Sequence, residues 1–90
     1  MEEKTYNSKN VDEWIELAGR AADEGDSEKA REYLRNAVKA DPESAKAWDY
    51  LSHFANSRGE IIHALEKVLE LQPENQNAAE RLQFTKKFTH

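Results

Sequence analysis

The sequence predicts an all-α chain of antiparallel helical hairpins, and three observations carry that prediction. Apolar residues recur at helical spacing over five segments, Gly and Pro punctuate the chain between them, and two stretches repeat one another. β structure has no comparable support. Thr85 to Thr89 is too short for a sheet, and no other segment joins a β-branched run to a turn pair.

Asn7-Ser8 is the first turn signal. Asn10 then stands as a helix cap, with Glu13 three residues later to reach back to it. Val11, Trp14, Ile15, Leu17, Ala18, Ala21 and Ala22 form the apolar side of the first helix, and Gly25 ends it by taking the left-handed conformation. Asp26 or Ser27 caps the second helix, whose apolar members are Ala30, Tyr33, Leu34, Ala37 and Val38. Asp41-Pro42 closes it, because proline holds its predecessor extended and has no N–H to donate. A loop of about two residues between these helices requires them to run antiparallel.

Ser44 opens a third helix carrying Ala45, Ala47, Trp48, Leu51, Phe54 and Ala55, which is expected to end near Asn56-Ser57-Arg58-Gly59. The fourth carries Ile61, Ile62, Leu65, Val68, Leu69 and Leu71 and stops at Gln72-Pro73. A last helix from Asn77 to about Phe88 has a weaker stripe of Ala78, Ala79, Leu82 and Phe84, so its outer face is expected to meet water.

Composition bounds what such a chain can do. Ninety residues make one domain. The absence of cysteine excludes a disulfide framework, a thiol nucleophile and thiolate metal sites. No apolar run approaches the roughly 20 residues that cross a bilayer. Met1 to Tyr6 has neither a basic start nor an apolar stretch, which makes a cytoplasmic location the default expectation. The net charge of -5 resides wholly in residues 1–45; residues 46–90 hold six basic and six acidic residues. Arg81, Lys86 and Lys87 are the only local basic excess, too little for a nucleic-acid face.

The internal repeat has two periods. Trp14-x-x-Leu17-Ala18 recurs thirty-four residues later as Trp48-x-x-Leu51-Ser52. The segment from Leu34 to Pro42 recurs only thirty-one residues later, from Leu65 to Pro73. The second hairpin is therefore three residues shorter, with the loss between Leu51 and Leu65. Trp14 and Trp48 are expected to fill the space within each hairpin, while Ala18, Ala30 and Ala37 permit close helix approach.

These residues resemble the tetratricopeptide repeat family. The family's first-helix pattern is matched by Trp14, Leu17, Ala18 and Ala21 and again by Trp48, Leu51, Ser52 and Ala55. Gly25 matches its hairpin turn, and Ala30, Leu34, Ala37 and Pro42 match its second helix. The second repeat departs from the pattern, with Ile61, Leu65 and Val68 where small and large residues alternate and Asn56 in place of the turn glycine. The stretch from Ala47 to Gln76 also resembles a shortened repeat at the C-terminal end of bacterial tetratricopeptide-type proteins. The resemblance implies a short right-handed superhelix in one domain over 1–90, with repeats at about 10–42 and 44–73 and a capping helix at about 76–88.

It further implies a protein-binding groove on the first helix of each hairpin. By position that groove is lined by Asp12, Ile15, Gly19, Lys46, Asp49, His53, Asn56, Glu80, Phe84 and Lys87, with Ala22 and Asn77 between them. The family's clamp of Lys and Asn for a terminal carboxylate is absent, because Ile15 and Gly19 stand there. The expected ligand is a peptide or helix of a partner protein. Tyr33 and Tyr50 are expected to be partly buried packing residues, and Phe84 and Phe88 to serve either packing or an interface.

Catalysis needs convergent groups, and the sequence supplies few. His53, His63 and His90 form no ligand pair of their own; Asp49 one turn before His53 gives two ligands, short of a usual zinc set. Glu28 and Glu32, Glu66 and Glu70, and Glu13 near Lys9 read as solvated helix faces, and the serines as caps. Three glycines form no phosphate loop. No metal, cofactor or enzymatic activity is expected. The leading expectation is an adaptor or scaffold; the alternative is a structural or self-associating end of a longer array, pairing with a second copy; an enzyme is the remote third.

Overall fold

The computed structural model describes residues 10–87, which form α1 (Val11–Asp23), α2 (Ser27–Ala40), α3 (Ala45–Phe54), α4 (Arg58–Leu71) and α5 (Gln76–Lys87), with no strand among the described residues. Each helix starts at a short polar side chain that accepts a backbone N–H three residues on. Asn10 takes Glu13, Asp26 takes Lys29, Ser44 takes Ala47, Ser57 takes Glu60 and Asn75 takes Ala78, at 2.9–3.1 Å. Asn10 completes a capping box, its own N–H donating to Glu13 Oε1 at 3.2 Å. Both closing prolines sit in the same turn, in which the N–H of Ser44 donates to Asp41 O and that of Asn75 to Gln72 O.

Some expected boundaries move. The third helix ends at Phe54, so Ala55 lies outside it, and Ser57-Arg58-Gly59 belongs to the start of α4 rather than to the end of α3. Ser57 decides this by capping Glu60, and Gly59 sits within the helix with an ordinary negative φ. The last helix runs from Gln76, with Asn75 as its cap. Lys9, Phe88, Thr89 and His90 lie outside the described residues.

The helices pack in chain order, α1 on α2, α2 on α3, α3 on α4 and α4 on α5, while α1 and α3 barely touch. Alanines at the crossings make this possible. Ala30, Ala37, Ala47, Ala64 and Ala78 are fully buried, and Leu34, Leu65 and Val68 fill the space between them. Ser52 replaces Ala18 in the second hairpin, and its buried hydroxyl donates to Asp49 O at 2.6 Å. The departures at Ile61 and Val68 are offset locally. They stand opposite in register to Ala30 and Ala37, but Ala64 takes the place of Tyr33, so one large residue is traded for two. Trp48 accordingly sits deeper than Trp14. Trp14 stacks obliquely on Tyr33 at 5.9 Å, whereas Trp48 is 8% exposed, meets the His63 ring edge-on at 5.4 Å and donates from Nε1 to Pro42 O at 2.8 Å.

The three missing residues come from one place. α2 and α4 both have 14 residues, but α1 has 13 and α3 has 10. Both first helices carry their Trp at the fourth position, so α3 has lost its last turn. The two hairpin turns differ as a result. After α1, Gly25 at φ 82° lets its own N–H reach Ala22 O and that of Asp26 reach Ala21 O, which satisfies the free carbonyls. After α3, Ala55 runs extended and Asn56 keeps a negative φ, so no such turn forms. Instead Arg31 of α2 donates from Nε to Phe54 O at 2.9 Å, placing a cation at the negative end of the helix.

Candidate protein-binding groove

The first helices α1, α3 and α5 present equivalent positions in rows. Ile15, Asp49 and Glu80 form one row, and Gly19, His53 and Phe84 the next. α3 touches α1 only slightly, and the two helices enclose a cleft of about 550 Å³. Ile15, Ala18, Gly19 and Ala22 line it from α1, Tyr50 and Phe54 from α3, and Glu16, Arg20 and Asp23 stand at its rim. That volume lies within the range of small ligand pockets. Gly19 keeps it open: a Cβ added there meets nothing within 4 Å, so neither packing nor backbone conformation requires glycine.

Charges on the same face are mostly satisfied within the chain. Lys46 lies 3.7 Å from Asp12 and ties α3 to α1. Asp49 accepts from Arg81 of α5 at 3.3 Å and stands 3.8 Å from His53. On the second helices, Arg35 grips Glu60 with two bonds of 2.9 Å, and this hydrogen bonding holds the Glu60 carboxyl below the ordinary carboxylate value.

The structure thus divides the expected groove residues. Ile15 and Gly19 enter the cleft, and Asp12, Lys46, Asp49 and His53 join the ion pairs beside it. Glu80, Phe84 and Lys87 lie on the exposed side of α5, where Phe84 is 63% exposed, and Asn56 is exposed in the turn after α3. Tyr50 corrects the expectation of a packing residue. It is 40% exposed and forms a cleft wall, because its counterpart across the cleft is a helix face of Gly and Ala. The signal for it was Tyr50 and Phe54 four residues apart, on one side of a helix whose neighbour carries small residues.

This face offers apolar contact and hydrogen bonding. Among the described residues no three His, Asp or Glu side chains come together to hold a metal, and no described helix is long and apolar enough to cross a membrane.

The tetratricopeptide repeat family model matches residues 11–54, from the start of α1 to the end of α3. No curated protein matches the chain. Members of that family generally mediate protein–protein interaction, and their repeats are typically non-enzymatic. The match over the first three helices and the five-helix architecture together fit a tetratricopeptide-type repeat protein.

Proposed function

We propose that this protein is an adaptor that binds a peptide or helix of a partner protein in the cleft between α1 and α3. The observation that carries the reading is the open cleft itself, floored by Gly19 and Ala22 and walled by Tyr50 and Phe54. The wider groove, with His53, Asn56, Glu80, Phe84 and Lys87, supplies the flanking contacts. Binding there needs no rearrangement of the core, since the cleft is already open.

A photo-crosslinking residue placed at Tyr50 tests this in the cells that make the protein. The expected result is a crosslinked partner protein that is absent when the same residue stands at Lys39 and lost on Gly19→Trp. Equal capture from Tyr50 and Lys39, or capture that survives a filled cleft in a normally folded variant, refutes the reading.

The exposure of Phe84 favours a second reading, in which α5 pairs with another copy of the chain. Sedimentation over a range of concentrations separates the two. A mass that rises with concentration and returns to monomer on Phe84→Glu supports self-association.

A further inference from the structure

We infer that the occupant of the α1–α3 cleft is a basic amphipathic segment, with one bulky apolar side chain over Gly19 and two Lys or Arg residues against Glu16 and Asp23. This inference rests on the binding reading above and names the chemistry of its partner. Its basis is a difference between the two sides of the groove. Asp12 and Asp49, the acids nearest α3 and α5, are already paired with Lys46 and with Arg81 and His53. Glu16 and Asp23 at the cleft rim have no side-chain hydrogen bond or ion pair among the described residues. They lie seven residues apart on one side of α1, about 10 Å along the axis, and so match two cations two turns apart on a partner helix.

Arg20 stands between them, leaving the rim two carboxylates to one guanidinium. The wider field has the same sign, because the whole net charge of -5 lies in residues 1–45. The apolar requirement comes from the cleft walls. Tyr50 and Phe54 face Ile15, Gly19 and Ala22 across open space, and only an inserted apolar side chain covers both surfaces. Tyr50 keeps its hydroxyl available to the incoming backbone.

A random-peptide display library selected on the full chain reads this directly. The enriched sequences are expected to share a bulky apolar residue flanked by Lys or Arg. A synthetic peptide of the enriched sequence should bind more weakly at higher salt and lose roughly tenfold or more on Glu16→Lys or Asp23→Lys, because like charges then face each other. Gly19→Trp should abolish its binding, with circular dichroism confirming that each variant is folded. Enriched peptides without net positive charge that are still lost on Gly19→Trp overturn the partner chemistry and leave the groove reading intact. Peptides that bind Gly19→Trp as well as the parent, or a selection that enriches nothing, overturn both.

Discussion

The two hairpins share a backbone plan but end their first helices by different means, and the difference shows what a lost turn demands. α1 closes on itself through Gly25, whose left-handed backbone returns two N–H groups to the carbonyls of Ala21 and Ala22. α3 stops a turn early without that glycine and relies on a side chain from the preceding hairpin, Arg31 on Phe54 O. The first closure is local and independent of other elements. The second is a contact between hairpins, so the end of α3 and the junction with α2 stand or fall together.

The comparison can be broken most forcefully in the core. Leu34 and Leu65 are register equivalents and both fully buried. Leu34→Ala and Leu65→Ala should each cost about 3 kcal/mol in urea unfolding. A large inequality between them would show that the hairpins do not unfold as one unit. The closures come next. Arg31→Met should cost about 2 kcal/mol, since it removes a charged donor from a helix end. Gly25→Ala should cost about 1 kcal/mol through its positive φ alone, although its Cβ would meet open space. Hydrogen exchange distinguishes them further: Arg31→Met should speed exchange at the end of both α3 and the α2–α3 junction, Gly25→Ala only around the first turn.

A smaller effect depends on pH. Arg35 bridges α2 to Glu60 of α4 and lowers its folded-state pKa, so the pair's stabilisation is fully present above the ordinary carboxylate range and is lost as pH falls through the depressed value. Arg35 is substantially exposed, which keeps the gain to that of a surface pair. Arg35→Met should therefore lower the melting temperature slightly near pH 7, and the difference from the parent should vanish as pH falls through the acid range. Smallest of all, Asn56→Gly should bring no gain, and a loss of a few tenths of a kcal/mol, because the extended Ala55 leaves no turn for a glycine to complete. A clear stabilisation would mean that α3 can recover its missing turn.

Much of this fold was legible from residue types at their spacing. Asn10 and Glu13, the paired prolines at Pro42 and Pro73, and the two Trp residues fixed hairpins and repeat, because capping and periodicity act over a few residues. The three-residue deficit was also visible, but its place was not. Gly59 looks like a turn residue, and only the spacing of Ser57 to Glu60 signals that a helix has already begun. Ala64 as the offset to Ile61 and Val68 depends on contacts across helices, which no local pattern reports. The groove was half legible. Ile15 and Gly19 follow from position, but Tyr50 and Phe54 reach the cleft only because α1 and α3 stand apart, a property of the packing and not of either helix.

The outward side of α1 carries a consequence for how such a chain can lengthen. Glu13, Leu17 and Arg20 border a shallow hollow there, with Glu16, at the positions where α3 has Ala47, Leu51, Phe54 and Tyr50 turned toward α1 and α2. A further hairpin joined to α1 in the manner of α2 to α3 would have to bury Glu13 and partly cover Arg20, a cost of several kcal/mol without new partners. The junction between α4 and α5 has no such barrier, since Ala78 and Leu82 continue the small and apolar positions of Ala47 and Leu51. Duplication of the α3–α4 unit would be accommodated between α4 and α5, so an array of this kind grows from within, with its charged first helix and polar last helix carried unchanged at the two ends.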